Sequence, residues 1–188
     1  MLALATLRRS GWFDHDQQVP WLTYPATRFL DSLDTSAMTA LEFGSGASTL
    51  WLNDRYADVL SVEHDPSWFA KVTRGRILLR DPQGDPFHGP VDSAYLEAGR
   101  AEAPWDMVLV DGVVRVTCVE RIDDFAATDG MVVLDDSDLP QLQQARQILA
   151  DKGFAAIDFW GFKPGVGLET CTSVYCRDFT KMLTAIGG

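Results

Sequence analysis

Two four-residue runs constrain this chain more than anything else in it. Met107-Val108-Leu109-Val110 and Met131-Val132-Val133-Leu134 are apolar at every position. A strand with one wet face alternates. A short continuous run bounded by polar residues instead reads as a strand covered on both faces, as in a parallel sheet with helices above and below. Further strand candidates are Thr39–Phe43, Asp58–Glu63, Arg76–Arg80, Ala155–Phe159 and Thr172–Cys176, with the two apolar runs extending over Asp106–Asp111 and Met131–Asp135.

Helices fill the gaps. One is expected from about Pro25 to Leu33 and another over Ala47–Asn53. Asp65-Pro66 opens a third, because the carboxylate accepts free N–H groups and proline fits the first turn. Asp138-Leu139-Pro140 opens a fourth, running to about Lys152 and stopped by Gly153. Leu142, Ala145, Ile148 and Leu149 give it an apolar face. Alternation of strands and helices implies a doubly wound sheet. The chain ends differently, because Trp160–Gly167 is glycine-rich and too short for a crossover helix. The last two strands must then pair antiparallel. The expected fold is α/β: Rossmann-like, doubly wound, a mostly parallel seven-stranded sheet with a C-terminal antiparallel hairpin. A single domain over residues 1–188 is expected, with 1–37 forming an N-terminal extension and helix. Asp81–Gly89 reads as a loop bordering the ligand site.

Sixteen basic residues stand against twenty-seven acidic ones, a formal net charge of −11. A surface of this sign repels phosphate backbones, so no nucleic-acid partner is expected. No stretch reaches the roughly eighteen apolar residues of a membrane helix, and no membrane partner is expected. Met1–Arg9 is apolar but short, without a basic leader or a small-residue cleavage site, so it does not read as a signal peptide. Cys118, Cys171 and Cys176 are odd in number and form no C-x-x-C pair. They read as small buried hydrophobes in a reducing, cytoplasmic setting. The sequence leaves the oligomeric state open.

The chemistry gathers at strand ends. Gly44-Ser45-Gly46 follows a strand and precedes a helix, where glycine lets the backbone pass close to a ligand and free N–H groups face it. A dinucleotide loop reads G-x-G-x-x-G; here Thr49 stands at the third glycine. Glu42, two residues before the first glycine, would repel a pyrophosphate. It suits S-adenosylmethionine (SAM), which carries a sulfonium and an ammonium, through backbone or water contacts. Glu63 lies nineteen residues after Gly44, at the distance from which an acid accepts ribose hydroxyls. Asp65 is better used as a helix cap, and His64 is placed to line the adenine or ribose pocket.

Asp111 ends the fourth strand and is expected to face the methionine end of SAM and the acceptor. At an ordinary pKa of about 3.9 an aspartate is a poor base for an alcohol, which favours positioning over proton abstraction. Asp135-Asp136-Ser137-Asp138 ends the fifth strand and, with Asp111, offers oxygen ligands of the kind Mg²⁺ takes. The plainer reading is that Asp138 caps the next helix and the others are solvated, so no metal ligand is assigned and Mg²⁺ stays an option. Arg115 is placed to clamp a substrate carboxylate, and Tyr24, within Pro20–Pro25, to wall the substrate pocket.

The chain resembles class I SAM-dependent methyltransferases from about Pro20 to Arg177. The resemblance narrows to a little-characterised bacterial group with EFGSGxST and SVEHDPxW motifs. It is carried by Pro20–Pro25, Glu42–Trp51, Ser61–Trp68, Val110–Cys118, Leu134–Ser137, Ile157–Gly161 and Thr172–Tyr175. It implies SAM held by Glu42, Gly44, Gly46 and Glu63, with S-adenosylhomocysteine (SAH) as product. With the reading of the residues, the cofactor set is Glu42, Gly44, Ser45, Gly46, Ser48, Thr49, Glu63, His64 and Asp111. Asp111 is also the catalytic candidate, and Tyr24 and Arg115 the substrate-binding ones. The acceptor is expected to be a small molecule or glycan, methylated on oxygen, since acids line the site and no Asn-Pro-Pro-Tyr-type motif for nitrogen acceptors occurs. Two alternatives stay open: a nucleotide-binding oxidoreductase of the NAD type, and a non-catalytic SAM-binding protein.

Overall fold

The computed structural model describes residues 19–186, so Met1–Arg9 and the first part of the expected extension lie outside the described residues. The order of elements is α1 (Tyr24–Asp31), β1 (Thr39–Phe43), α2 (Ala47–Asn53), β2 (Asp58–Glu63), α3 (Pro66–Phe69), β3 (Arg76–Leu79), α4 (Ala94–Arg100), β4 (Trp105–Val110) and α5 (Arg115–Glu120). Then come β5 (Ala126–Leu134), α6 (Gln143–Asp151), β6 (Ala155–Gly161), β7 (Thr170–Cys176) and α7 (Phe179–Ile186). The strands form a seven-stranded sheet in the order β3-β2-β1-β4-β5-β7-β6. The first five are parallel, and β7 runs antiparallel to both β5 and β6. This is the Rossmann-like, doubly wound sheet with a terminal hairpin that the patterning predicts.

The continuous apolar runs sit where two-sided burial requires them. Val108, Val110, Val132 and Leu134 join a cluster on one face with Leu41, Phe43 and Tyr95. Met107, Leu109, Met131 and Val133 join another on the opposite face with Leu30, Trp51 and Leu52. Each such fully buried side chain contributes about 1.5–3 kcal/mol, so the central strands hold both helical layers. Among the described residues no helix is long and apolar enough to cross a membrane, and Cys118, Cys171 and Cys176 are free and buried.

Several local expectations change. Strand β5 begins at Ala126 rather than Met131, because Trp105 pairs with Ala126 before a register shift. Asp65, as expected, caps α3, accepting from the Ser67 N–H at 2.7 Å. Asp138 does not cap α6. Its carboxylate accepts from the Thr170 hydroxyl at 2.7 Å and the Cys171 N–H at 2.8 Å, tying the end of β5 to β7, and a 3-10 turn at Pro140–Leu142 leads into the helix instead. The loop Asp81–Gly89 does not border the cavity described below. It docks on the start of α5, where the Val116 N–H donates to the Phe87 carbonyl at 2.8 Å.

One close approach fixes the geometry at the sheet's carboxyl edge. Gly44 has φ +108, and a Cβ there would lie 2.8 Å from the Gly112 nitrogen. Gly112 in turn donates its N–H to the Phe43 carbonyl at 2.6 Å. The first glycine is therefore required by its neighbour on β4, whereas a Cβ on Gly46 would meet nothing within 4 Å. Gly44→Ala is expected to lower the unfolding free energy by about 2–3 kcal/mol and Gly46→Ala by less than about 1 kcal/mol. Equilibrium urea denaturation of the two variants measures both, and equal losses would contradict the assignment.

Candidate functional site

The carboxyl ends of β1, β2, β4 and β5 border a cavity of about 590 Å³. It lies where the strand order reverses, between β1 and β4, the place where open α/β sheets bind ligands. One side is made by Gly44, Ser45, Gly46, Ser48, Glu63 and His64; the other by Asp111, Arg115, Asp136 and Lys163. Trp21 and Trp68, in edge-to-face contact with centroids 5.5 Å apart, stand at the aromatic end. Val166 and Leu168 of the β6–β7 connection complete the wall.

Glu63, the last residue of β2, is buried, and its carboxylate is held by four donors. The Ser45 N–H and hydroxyl reach Oε2 at 2.7 and 2.8 Å. The His64 and Asp65 N–H groups reach Oε1 at 2.7 and 2.8 Å. The His64 Nδ1 also lies 3.0 Å from Oε1, so both oxygens are closely surrounded. Of the four donors only the Ser45 hydroxyl swings freely about its bond.

Glu42 and Thr49 do not line the cavity. Glu42 is fully buried behind the loop, where it accepts from the Ser48 hydroxyl at 2.5 Å, the Thr49 hydroxyl at 2.6 Å and the Ser61 hydroxyl. Burial pushes its pKa from 4.5 up to about 7, against the lowering effect of those hydroxyls. Thr49 also accepts from the Gly46 N–H at 3.0 Å, stapling the loop to α2. Thr49 at the third-glycine position is thus part of a buried hydroxyl network around Glu42, and both residues shape the loop from beneath.

At the other end lies a dense charge cluster. Ligand atoms of Asp111, Asp135 and Asp136 lie within 4.8 Å of one another. The Lys163 ammonium donates to Asp135 Oδ2 at 2.6 Å and Asp136 Oδ1 at 2.5 Å. Arg115, expected to clamp a carboxylate, lines the cavity, but its N–H groups are already committed within the chain. Nε donates to the Gly112 carbonyl at 2.8 Å, Nη1 to the Asp135 carbonyl at 2.9 Å and Nη2 to the Asp111 carbonyl at 2.7 Å. Weaker contacts join it to the Asp111 and Asp136 carboxylates at 3.3 and 3.5 Å. It sutures the ends of β4 and β5. Burial, then the charge of Asp135, holds the Asp111 carboxyl well above its ordinary value, opposed by Arg115 and Lys163. Burial works against the Lys163 ammonium, but Asp135 and Asp136 outweigh it and keep it charged.

Tyr24 is 53% exposed and lies outside the cavity wall; its N–H donates to the Phe162 carbonyl at 2.9 Å. Trp21, three residues earlier, takes the wall position. Lys163 escapes a reading of the sequence, since a lone lysine in a glycine-rich turn looks solvated. The only signal is its place in the terminal hairpin, whose turn must fold back over the carboxyl edge.

No protein family and no curated protein sequence matches the chain. Solved structures do match its architecture. Precorrin-6y C5,15-methyltransferase from Geobacter metallireducens aligns with a TM-score of 0.56 at 15% identity, over 87% of this chain and 95% of that one. Magnesium protoporphyrin IX methyltransferase from Synechocystis, with bound SAM, aligns at 0.55 and 11% identity, over 81% and 76%. Spermidine synthase from Thermotoga maritima aligns at 0.56 and 12% identity, over 78% and 55%. At these identities the likeness is one of fold.

Glu42 provides a pH test of the loop. The folded chain binds its proton more tightly than the unfolded chain does. Its stabilising contribution is therefore complete below about pH 4.5 and lost as pH rises through about 7. The stability difference between wild type and Glu42→Gln is expected to fall by about 3 kcal/mol from pH 4.5 to 8. Urea denaturation across that range measures it, and a pH-independent difference would refute the burial effect.

Proposed function

We propose that the protein is a SAM-dependent methyltransferase acting on the oxygen of a small-molecule or glycan acceptor. The observation that carries this reading is one cavity joining Glu63, at the end of β2, to Asp111, at the end of β4. The strand order supports it against an NAD-type oxidoreductase. The dinucleotide fold places six parallel strands in the order 3-2-1-4-5-6, whereas here antiparallel β7 is inserted between β5 and β6.

In this reading Glu63 accepts the ribose hydroxyls of SAM in place of the Ser45 hydroxyl, and His64 lies beside the adenosine. Gly46 leaves the open space that the cofactor backbone needs, with Gly44, Ser45 and Ser48 completing the cradle. Glu42 and Thr49 act through the loop they hold. SAM supplies a methyl group on a positively charged sulfur, open to in-line displacement. The protein aligns the acceptor and excludes water, which is worth on the order of 7–11 kcal/mol.

Asp111 takes the acceptor proton. Burial and the Asp135 charge raise its pKa above that of an ordinary carboxylate, which makes it a stronger proton acceptor. Of the six carboxylate oxygens of Asp111, Asp135 and Asp136, only Asp111 Oδ2 has no hydrogen bond within the described residues. That atom receives the proton. The aromatic pair Trp21 and Trp68, with Val166 and Leu168, favours an acceptor with an apolar body.

Calorimetric titration with SAH and NADH tests the cofactor. SAH is expected to bind and NADH not; NADH binding without a response to SAH would overturn the reading in favour of an oxidoreductase. Glu63→Ala is expected to weaken SAH at least about 10-fold through loss of charged hydrogen bonds, and unchanged affinity would remove it from the ribose site.

A further inference from the structure

Acids at the ends of β4 and β5, with their ligand atoms within 4.8 Å, have the composition of an oxygen-ligand site for a divalent cation. In this chain five of the six carboxylate oxygens of that set are already taken. Asp135 Oδ2 and Asp136 Oδ1 accept from Lys163 at 2.6 and 2.5 Å. Asp135 Oδ1 accepts from the Thr172 hydroxyl at 2.5 Å and Asp136 Oδ1 also from the Thr170 hydroxyl at 3.0 Å. Arg115 takes Asp136 Oδ2 and Asp111 Oδ1 at 3.5 and 3.3 Å. At 2.6 and 2.5 Å the Lys163 nitrogen stands at the upper end of the roughly 2.3–2.6 Å range over which Ca²⁺ holds its oxygens, and farther than Mg²⁺ tolerates. Two fixed cations face the three carboxylates, and a divalent ion among them would have to displace the ammonium.

Lys163 is not a surface lysine that happens to reach an acid. Its side chain is 9% exposed and lines the cavity. Its loop is pinned on both sides. The Tyr24 N–H donates to the Phe162 carbonyl, and Thr170 binds both Asp136 and Asp138. An ammonium has three N–H donors, and two are accounted for by the carboxylates.

We propose that Lys163 is the resident cation of this site, seated where a divalent ion would have to sit, so that methyl transfer proceeds without a metal. This rests on the methyltransferase reading and adds the chemistry of the acceptor's partner. A hydroxyl acceptor donates to Asp111 Oδ2 and accepts the third N–H of Lys163. As the oxygen–methyl bond forms and the carbon–sulfur bond breaks, the hydroxyl proton passes to Asp111 and the electron pair of the broken bond stays on sulfur. The ammonium stabilises the negative charge that gathers on the oxygen, the part a metal plays elsewhere.

The test titrates Mn²⁺ into the protein and follows the loss of the free-ion electron paramagnetic resonance signal. SAH calorimetry and thermal melting run on the same samples. Wild type is expected to show no saturable Mn²⁺ binding up to about 1 mM, the weak end of protein oxygen-ligand sites. Lys163→Ala exposes the three carboxylates and is expected to bind Mn²⁺ in that range, with a rise in melting temperature that Lys163→Ala/Asp136→Asn lacks. Lys163→Arg, which keeps a cation, is expected to exclude Mn²⁺ as wild type does. Removing the ammonium leaves buried charge and can unfold the chain, so the melting response to Mn²⁺ is read whether or not the apo variant is folded. Saturable binding by wild type that Asp136→Asn abolishes would overturn the proposal. So would a Lys163→Ala protein with neither binding nor thermal response. Failure of wild type to bind SAH instead overturns the methyltransferase reading, which the Mn²⁺ arms do not touch.

Discussion

The pairing of β1 with β4 is the constraint on which the rest depends. Both strands are buried on both faces, and they leave the sheet together at Gly44 and Gly112, whose backbones touch. Only a residue without a Cβ and tolerant of positive φ fits at Gly44. That contact sets Ser45 and Gly46 on one side of the crevice and Asp111 on the other. The cavity is a consequence of this crossing and of the reversal in strand order, before any ligand is considered.

Charge burial then divides the site into two halves with different tasks. Around the loop, carboxylates are met by hydroxyl and backbone donors: Glu42 by three hydroxyls, Glu63 by three N–H groups and one hydroxyl. At the far end, carboxylates are met by cations, Arg115 and Lys163. Glu63 is therefore held without an opposing fixed cation. Fixed cations take up most of the carboxylate oxygens at the far end and leave Asp111 Oδ2 without a hydrogen bond among the described residues.

The fold and the glycine loop are largely legible in the sequence. The bounds of β1 and β2 follow from their apolar runs and flanking polar residues, and Asp65-Pro66 starts a helix because capping is chemistry between neighbours in sequence. The hairpin followed from a connection too short to cross over. Asp138 defeats a local reading because its partners, Thr170 and Cys171, lie more than thirty residues away. Asp81–Gly89 was misplaced because its docking on α5 is also long-range.

The sequence by itself determined the layered α/β sheet, the glycine loop and the acids at the ends of β2 and β4. Those are set by local pattern: residue type, period and distance along the chain. Only the tertiary structure decided what each charged group faces. It turned Glu42 inward to the hydroxyls of Ser48, Thr49 and Ser61, and spent Arg115 on backbone carbonyls. It also brought Lys163 from the terminal hairpin into the acid cluster. A buried charge takes whatever partner the packing presents, and that partner is chosen by the topology of the sheet rather than by neighbours in the chain.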